Sequence, residues 1–245
     1  MKIIKLDAID STNSFLKEMA DKVTVDDFTV VVAKKQTSGR GQMSASWKVE
    51  GGKSLTFSVF CDLLGLNIGD AKYLNYSVSL SVYETIKSLV LPSLAIKWPN
   101  DIMSESKKIA GVLIENTLKG AKINSSIIGI GINVNQENFS DDLPNASSIK
   151  RILGKEIDLD FLLNKLLVNL SKRIEMLNRK EYSTLETSYL DVLYKKNVPS
   201  MFKTNQNILF MGKIIGISSI GNILIELENE TIQEFGIKEV SFANL

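Results

Sequence analysis

The hydrophobic pattern of this chain changes near residue 195, and the change restricts the folds that the chain can adopt. Before that point strand-like and helix-like segments are mixed. The apolar residues of 70–89 and 161–178 recur at helical spacing, whereas residues 54–60 alternate as a strand does. From Asn205 onwards only short strand-like segments occur. This order predicts an α+β fold with segregated helices, followed by a small all-β unit.

The two units are predicted to meet between residues 195 and 199. We therefore expect one domain at residues 1–195 and a second at residues 196–245. A chain of 245 residues that is 44% hydrophobic can bury a sizeable core. The larger domain is expected to contain, in order, a strand at 3–6, a helix from about 11, a strand at 29–33, a loop at 36–52, a strand at 54–60, a helix at 70–89, a strand at 94–97, a hairpin of 108–118 and 123–134, and helices at 161–178 and 182–194.

The composition excludes several kinds of catalytic site. The chain has no histidine and one cysteine, Cys61. Serine or cysteine nucleophiles activated by histidine are therefore excluded, as are zinc sites that need histidine or four thiolates. A single cysteine also rules out an intrachain disulfide, which fits a reducing compartment. Chemistry in this protein has to use lysine, arginine, carboxylates, amides and the backbone.

The charge balance gives no reason to expect a partner of strong opposite charge. Lys plus Arg number 29 and Asp plus Glu number 28, a net charge of +1. Residues 1–10 lack a signal-peptide pattern, and no run of 18 apolar residues occurs. We expect a cytoplasmic protein that binds neither membranes nor DNA.

The loop at residues 36–47 is a candidate anion site. Gly39 and Gly41 flank Arg40 and allow backbone N–H groups to approach an anion, while the guanidinium can form two parallel hydrogen bonds to it. The alternative is a flexible surface loop with one solvated arginine.

Two further segments carry polar groups next to strands. Lys97-Trp98-Pro99-Asn100-Asp101 would place an amide and a carboxylate at a strand end, suited to a nucleotide or to magnesium, although taken alone a simple turn is the commoner explanation. Lys108, at the start of an apolar strand, is either a solvated end charge or a cation that points into a pocket. Alternating glycines at 129 and 131 would permit close approach of the backbone to a ligand.

Taken in order, these segments resemble the biotin–protein ligases, which join biotin to a lysine of a carrier protein. The resemblance rests on Ser11-Thr12-Asn13, on Gln36 with Gly39-Arg40-Gly41 and Trp47, on the 97–101 and 108–111 segments, on residues 129–135, and on 216–224 with 238–241. It implies a catalytic domain with a mixed or antiparallel sheet and a small SH3-like barrel at the C-terminus.

The resemblance also implies roles for individual residues. Lys108 and Arg40 are the implied catalytic residues, which hold the reacting carboxylate and the phosphates. The residues implied to bind biotin are Ser11, Thr12, Asn13, Gln36, Gly39, Arg40, Gly41, Gln42, Lys108 and Gly111. Those implied to bind the nucleotide are Arg40, Trp47, Asn100 and Asn133, and Asp101 is the implied magnesium ligand.

The implied substrates are biotin and ATP with Mg²⁺, the implied partner is a biotin carboxyl carrier protein, and no permanently bound prosthetic group is expected. A monomer and a homodimer both remain open. Because the first motif begins at residue 11, we expect no DNA-binding helix-turn-helix before it. The loop departs from the family at Gln42, and Phe242 stands where bacterial members often have arginine. A lipoate or octanoyl transferase and a non-catalytic biotin-binding protein are the alternatives.

Overall fold

The protein has two β-sheets, and the helices pack on the larger one. The structure is a computed structural model that describes residues 1–243, apart from the side chains of Ser44 and Leu64. The strands of the larger sheet are β1 (Ile3–Ile9), β2 (Val30–Gln36), β3 (Leu55–Asn67), β4 (Ala95–Lys97), β5 (Asp101–Ser104), β6 (Lys107–Lys119) and β7 (Lys122–Ile132). Their spatial order is β1-β2-β3-β7-β6-β5-β4, with β1 and β2 parallel and the other neighbours antiparallel. The sheet is mixed, as predicted.

The helices divide between the two faces of this sheet because successive strand residues point to opposite sides. The helices are α1 (Thr12–Lys22), α2 (Ala71–Lys87), α3 (Ile149–Leu153), α4 (Leu159–Asn178) and α5 (Tyr182–Asp191). On one face, Leu16 of α1 packs with Val31 and Ile127. Their sequence neighbours Val30 and Ile128 belong to the larger core, which includes α2 and α4. No helix within residues 1–243 is both long and apolar enough to cross a bilayer.

The second sheet lies in the C-terminal part of the chain and contains only antiparallel strands. These are β8 (Pro199–Thr204), β9 (Leu209–Ile217), β10 (Ile223–Leu227), β11 (Ile232–Phe235) and β12 (Val240–Phe242), in the spatial order β11-β10-β9-β8-β12. This confirms the small all-β unit. The domain division at residue 195 stays a prediction, and it falls between α5 and β8. The predicted second domain includes residues 244 and 245, which lie outside the described part of the chain.

Two elements were not predicted from the sequence. Strand β5 directly follows the Pro99-Asn100 turn and has four residues, too few for a clear alternation. Helix α3 has five residues, capped by the hydroxyl of Ser148. The helix predicted at 182–194 ends at Asp191.

Candidate active site

A cavity of about 440 Å³ opens beside the middle of the larger sheet. Strands β3, β6 and β7 supply its floor, and the 36–47 loop, the β4–β5 turn and the C-terminal segment supply its walls. The predicted site residues that line it are Ser11, Thr12, Asn13, Gln36, Arg40, Gly41, Gln42, Trp47, Asn100, Asp101, Lys108 and Gly111. Gly39 and Asn133 do not line it.

The polar end of the cavity forms around the first turn of α1. Ser11 caps this helix, its hydroxyl oxygen accepting a hydrogen bond from the Ser14 amide. Thr12 donates to Gln36 Oε1 from both its backbone N–H, at 2.8 Å, and its hydroxyl, at 3.1 Å. Ser58 Oγ on β3 lies 2.7 Å from Thr12 Oγ1 and 2.5 Å from Asn13 Oδ1. These contacts fix several polar side chains in a buried corner.

The glycines of β7 make room for side chains rather than for a ligand alone. A Cβ on Gly129 would lie 2.3 Å from Asn13 Oδ1, and a Cβ on Gly131 would lie 2.3 Å from Trp47 Cε2. Any side chain at either position would displace one of these residues. The sequence correctly indicated close approach at this strand, but Asn13 and Trp47 occupy that space in the structure.

The 36–47 loop folds back over the cavity as a small hairpin. The Trp47 N–H donates to the Gly39 carbonyl at 2.8 Å, and the Gly41 N–H donates to the Ala45 carbonyl at 2.7 Å. Lys238, from the C-terminal part of the chain, donates to the Met43 carbonyl at 2.7 Å. The Trp47 indole N–H is buried and has no hydrogen-bond partner among the described residues. The loop is therefore an organised wall of the cavity.

Arg40 forms an ion pair with Glu115. Its two terminal nitrogens lie 3.1 Å and 2.6 Å from the two carboxylate oxygens of Glu115 on β6. Asn13 Nδ2 donates to the same carboxylate at 2.7 Å.

Lys108 points into the cavity and pairs with Asp101. Its Nζ lies 2.6 Å from Asp101 Oδ1 and 5.6 Å from the centre of the Trp47 ring. A Cβ on Gly111 would come within 3.2 Å of that Nζ. Of the two readings of Lys108 that the sequence left open, the structure favours the pocket cation over the solvated end charge.

The β4–β5 turn positions Asn100 and Asp101. The Pro99 carbonyl accepts from Asn75 Nδ2 at 2.7 Å and from the Tyr189 hydroxyl at 2.9 Å. Burial, together with Tyr76 and Asp101, raises the pKa of the Tyr189 hydroxyl well above its usual value, so this donor keeps its proton. The Asn100 amide donates to the Val112 carbonyl on β6.

A model of the biotin/lipoate A/B protein ligase family matches residues 6–133, more than half of the chain. The chain belongs to this family. The bifunctional ligase/repressor BirA of Bacillus spizizenii is 31% identical over 99% of this chain and 73% of its own length. The biotin–[acetyl-CoA-carboxylase] ligase of Mycobacterium tuberculosis is 28% identical over 67% of this chain and 60% of its own.

Solved structures give the same result for the fold. The biotin protein ligase of Aquifex aeolicus, in complex with biotin and ATP, superposes with a TM-score of 0.79 at 29% identity. The alignment covers 100% of this chain and 99% of that one. The similarity therefore extends through the C-terminal sheet, beyond the segment that the family model matches.

In this member of the biotin/lipoate A/B protein ligase family, two predicted site residues do not line the cavity. The Asn133 amide is buried and donates to the Ser147 carbonyl at 3.0 Å, where it ties β7 to the segment before α3. Gly39 packs against the Trp47 carbonyl. A Cβ on Gly39 would lie 2.3 Å from that carbonyl oxygen. Their direct contact with a nucleotide or with biotin stays a prediction.

Several residues of the site were not predicted from the sequence. Ser58 and Glu115 contact the lining residues Thr12, Asn13 and Arg40. Ser58 is a polar residue between apolar neighbours of its strand, and Glu115 directly follows an apolar run of its strand, signals that the sequence does contain. The missed lining residues of the C-terminal part are Ile237, Lys238, Val240 and Ser241. That segment is distant in sequence from the other lining residues, so local sequence patterns do not place it at the cavity.

The donor set near Asp101 fits a magnesium ion only together with phosphate oxygens. No group of three carboxylate or thiolate side chains within the described chain is arranged to hold a metal ion. Mg²⁺ commonly binds through one or two carboxylates and the phosphates of a nucleotide. Asp101 is one such carboxylate, and Lys108 is its present partner.

Proposed function

We propose that this protein activates biotin with ATP, as biotinyl-5′-AMP, and transfers it to a lysine of a biotin carboxyl carrier protein. The supporting observation is the arrangement of the cavity. The buried Thr12 and Asn13 form a polar end together with the half-buried Gln36. Lys108 and Arg40 add cations elsewhere in the lining. Biotin has the matching polarity, a ureido ring at one end and a carboxylate at the other.

The reaction needs no nucleophile from the protein. A carboxylate oxygen of biotin attacks the α-phosphorus of ATP, and the bond to pyrophosphate breaks. The acceptor amine then attacks the carbonyl carbon of the mixed anhydride, loses a proton and releases AMP. Alignment of the reactants and compensation of their negative charge are what such a site has to supply. A chain without histidine is suited to this task.

We assign the roles as follows. Lys108 holds the reacting carboxylate and then the α-phosphate, and Arg40 neutralises phosphate charge. Ser11, Thr12, Asn13 and Gln36 hold the ureido ring. Mg²⁺ bound with ATP would supply charge neutralisation on the phosphates, and Asp101 would hold that ion directly or through water. Trp47, which lines the cavity, packs against the bound adenylate.

A lipoate or octanoyl substrate is less well supported. The end of such a molecule remote from the carboxylate is apolar. Placed against Thr12, Asn13 and Gln36, it would exclude water from these polar side chains without offering a hydrogen bond to the donors and acceptors that they do not use among themselves. The family as a whole includes lipoate enzymes, so the test has to compare the two acids directly.

The test uses the protein with ATP, Mg²⁺, a carrier domain and either biotin or lipoate. Pyrophosphate release reports the first step, and mass spectrometry of the carrier reports the second. We expect both signals with biotin. Replacing the acceptor lysine of the carrier by arginine should abolish the modification of the carrier and leave the initial release of pyrophosphate. Biotin binding without pyrophosphate release would indicate a non-catalytic binding protein, and modification by lipoate alone would indicate the other branch of the family.

A further inference from the structure

Glu115 lies on the face of β6 that lines the cavity. Gly111 and Leu113 line the cavity from the same strand, and Glu115 follows at the next position of equal orientation. Its side chain is 26% exposed. A half-buried carboxylate on the face of a strand otherwise occupied by glycine and leucine requires partners.

The first partner is the loop arginine. Both terminal nitrogens of Arg40 contact the carboxylate, at 3.1 Å and 2.6 Å, and so form the two-pronged pairing that fixes the plane of a guanidinium. A guanidinium has five N–H donors, and this pairing uses two of them. Arg40 can therefore hold Glu115 and still donate to another anion.

The second partner is Asn13, whose Nδ2 donates to Glu115 Oε2 at 2.7 Å. Asn13 Oδ1 points the other way, 2.5 Å from Ser58 Oγ. The same carboxylate oxygen thus contacts a side chain of the polar end and a side chain of the loop. Glu115 is the bridge between these two parts of the site.

We propose that Glu115 is a positioning residue that orients the Arg40 guanidinium toward the reacting phosphates. The proposal rests on the function given above, because it concerns the adenylate-forming step. An unpaired Arg40 on a glycine-containing loop would sample many orientations, and only some of them would meet a phosphate. Pairing with Glu115 removes that freedom before ATP binds.

Glu115→Gln separates positioning from general stability. Glutamine keeps the size and can still accept from Asn13, but it loses the charge and one acceptor oxygen that Arg40 uses. We expect kcat for biotin-dependent pyrophosphate release to fall about tenfold, with the KM for biotin changed less than about twofold. Glu175→Gln, which removes another arginine partner on the surface of α4, serves as the matched control.

A double-mutant cycle with Arg40→Gln decides the mechanism. If Glu115 acts through Arg40, Glu115→Gln has little further effect in the Arg40→Gln background. An equal loss in both backgrounds, or wild-type kcat in the single variant, overturns the proposal. If Glu115→Gln does not fold, Glu115→Asp goes through the same cycle, since it keeps the charge but withdraws the carboxylate. An inactive wild-type protein would instead refute the proposed function.

Discussion

The ammonium group of Lys108 lies 2.6 Å from the Asp101 carboxylate, across the neighbouring strands β6 and β5. Both residues line the cavity, and their side chains are 36% and 26% exposed. The proposed reaction brings a second carboxylate and then a phosphate to Lys108. In that reaction Asp101 would hold this cation in place until the reactants arrive. Replacing either residue has a distinct expected result.

Lys108→Ala should abolish most adenylate formation and leave the fold intact. The loss of one charge-assisted hydrogen bond costs about 1.5–3 kcal/mol. This corresponds to a decrease of about 10- to 150-fold in kcat/KM for biotin. Lys107→Ala is the matched control, because the Lys107 ammonium points away and donates to the Pro144 carbonyl. Pyrophosphate release at saturating ATP measures both variants. Equal activity of the Lys108 variant and the control would remove Lys108 from the site.

Asp101→Asn should increase the Mg²⁺ concentration required for half-maximal activity. Asparagine keeps the size of the side chain but removes the charge that would attract the ion of Mg²⁺–ATP. Asp142→Asn, which breaks an exposed pair with Lys48, is the control for the loss of a surface carboxylate. A magnesium titration of initial rates compares them. An unchanged titration curve would leave Asp101 only the role of partner to Lys108.

The fold could be predicted largely because its long elements carry strong periodic signals. Helices α2 and α4 and the β6–β7 hairpin lie within a few residues of their predicted positions. Strand β5 was missed since its pairing with β4 and β6, rather than its own four residues, makes it a strand. The order β1-β2-β3-β7-β6-β5-β4 depends on contacts between distant segments, which local patterns do not encode.

The site could be predicted where a motif places side chains directly, and not where it depends on their partners. Arg40 and Lys108 were assigned from the motifs, but their carboxylate partners, Glu115 and Asp101, follow from the pairing of strands and loop. Asn133 shows the converse. It belongs to a recognisable motif, yet its amide is used inside the fold to bond the Ser147 carbonyl.

Lys238→Ala should accelerate the release of biotinyl-adenylate. The 36–47 loop contains one cation, Arg40, and Lys48 follows it directly in the sequence. Lys48 pairs with Asp142, while Lys238 lines the cavity and bonds the loop at the Met43 carbonyl. Losing that bond should raise the dissociation rate about 3- to 10-fold. Stopped-flow measurement of adenylate release tests this, with Lys203→Ala on β8 as the control.

Gln42→Arg should have the opposite effect. Gln42 lines the cavity, and a cation there would add a contact to the adenylate phosphate. We expect slower dissociation of the adenylate and less labelling of bystander lysines. Arg40→Gly should increase both the dissociation rate and the labelling. An off-rate unaffected by Gln42→Arg would mean that Lys238 already supplies sufficient charge.

Tyr76 and Tyr189 stack with their ring centres 4.2 Å apart, and removal of their hydroxyls should change stability in opposite directions. The Tyr189 hydroxyl donates to the Pro99 carbonyl, so Tyr189→Phe should lower the free energy of unfolding by about 1 kcal/mol. The buried Tyr76 hydroxyl has no partner within the described residues, so Tyr76→Phe should raise it by up to about 1 kcal/mol. Urea unfolding at pH 8 measures both.

The same pair predicts loss of stability in alkali. Burial raises the pKa of both hydroxyls, with a smaller contribution from Glu186 at Tyr76 and from Tyr76 at Tyr189. A folded-state pKa above the unfolded value of about 10 means that the folded protein holds these protons more tightly. The free energy of unfolding is therefore not reduced by ionisation of these tyrosines below about pH 10, and it decreases as the pH rises further. Tyr76→Phe should reduce the decrease measured by urea unfolding between pH 9 and 11, and a decrease identical to that of the wild type would show that Tyr76 does not contribute to it.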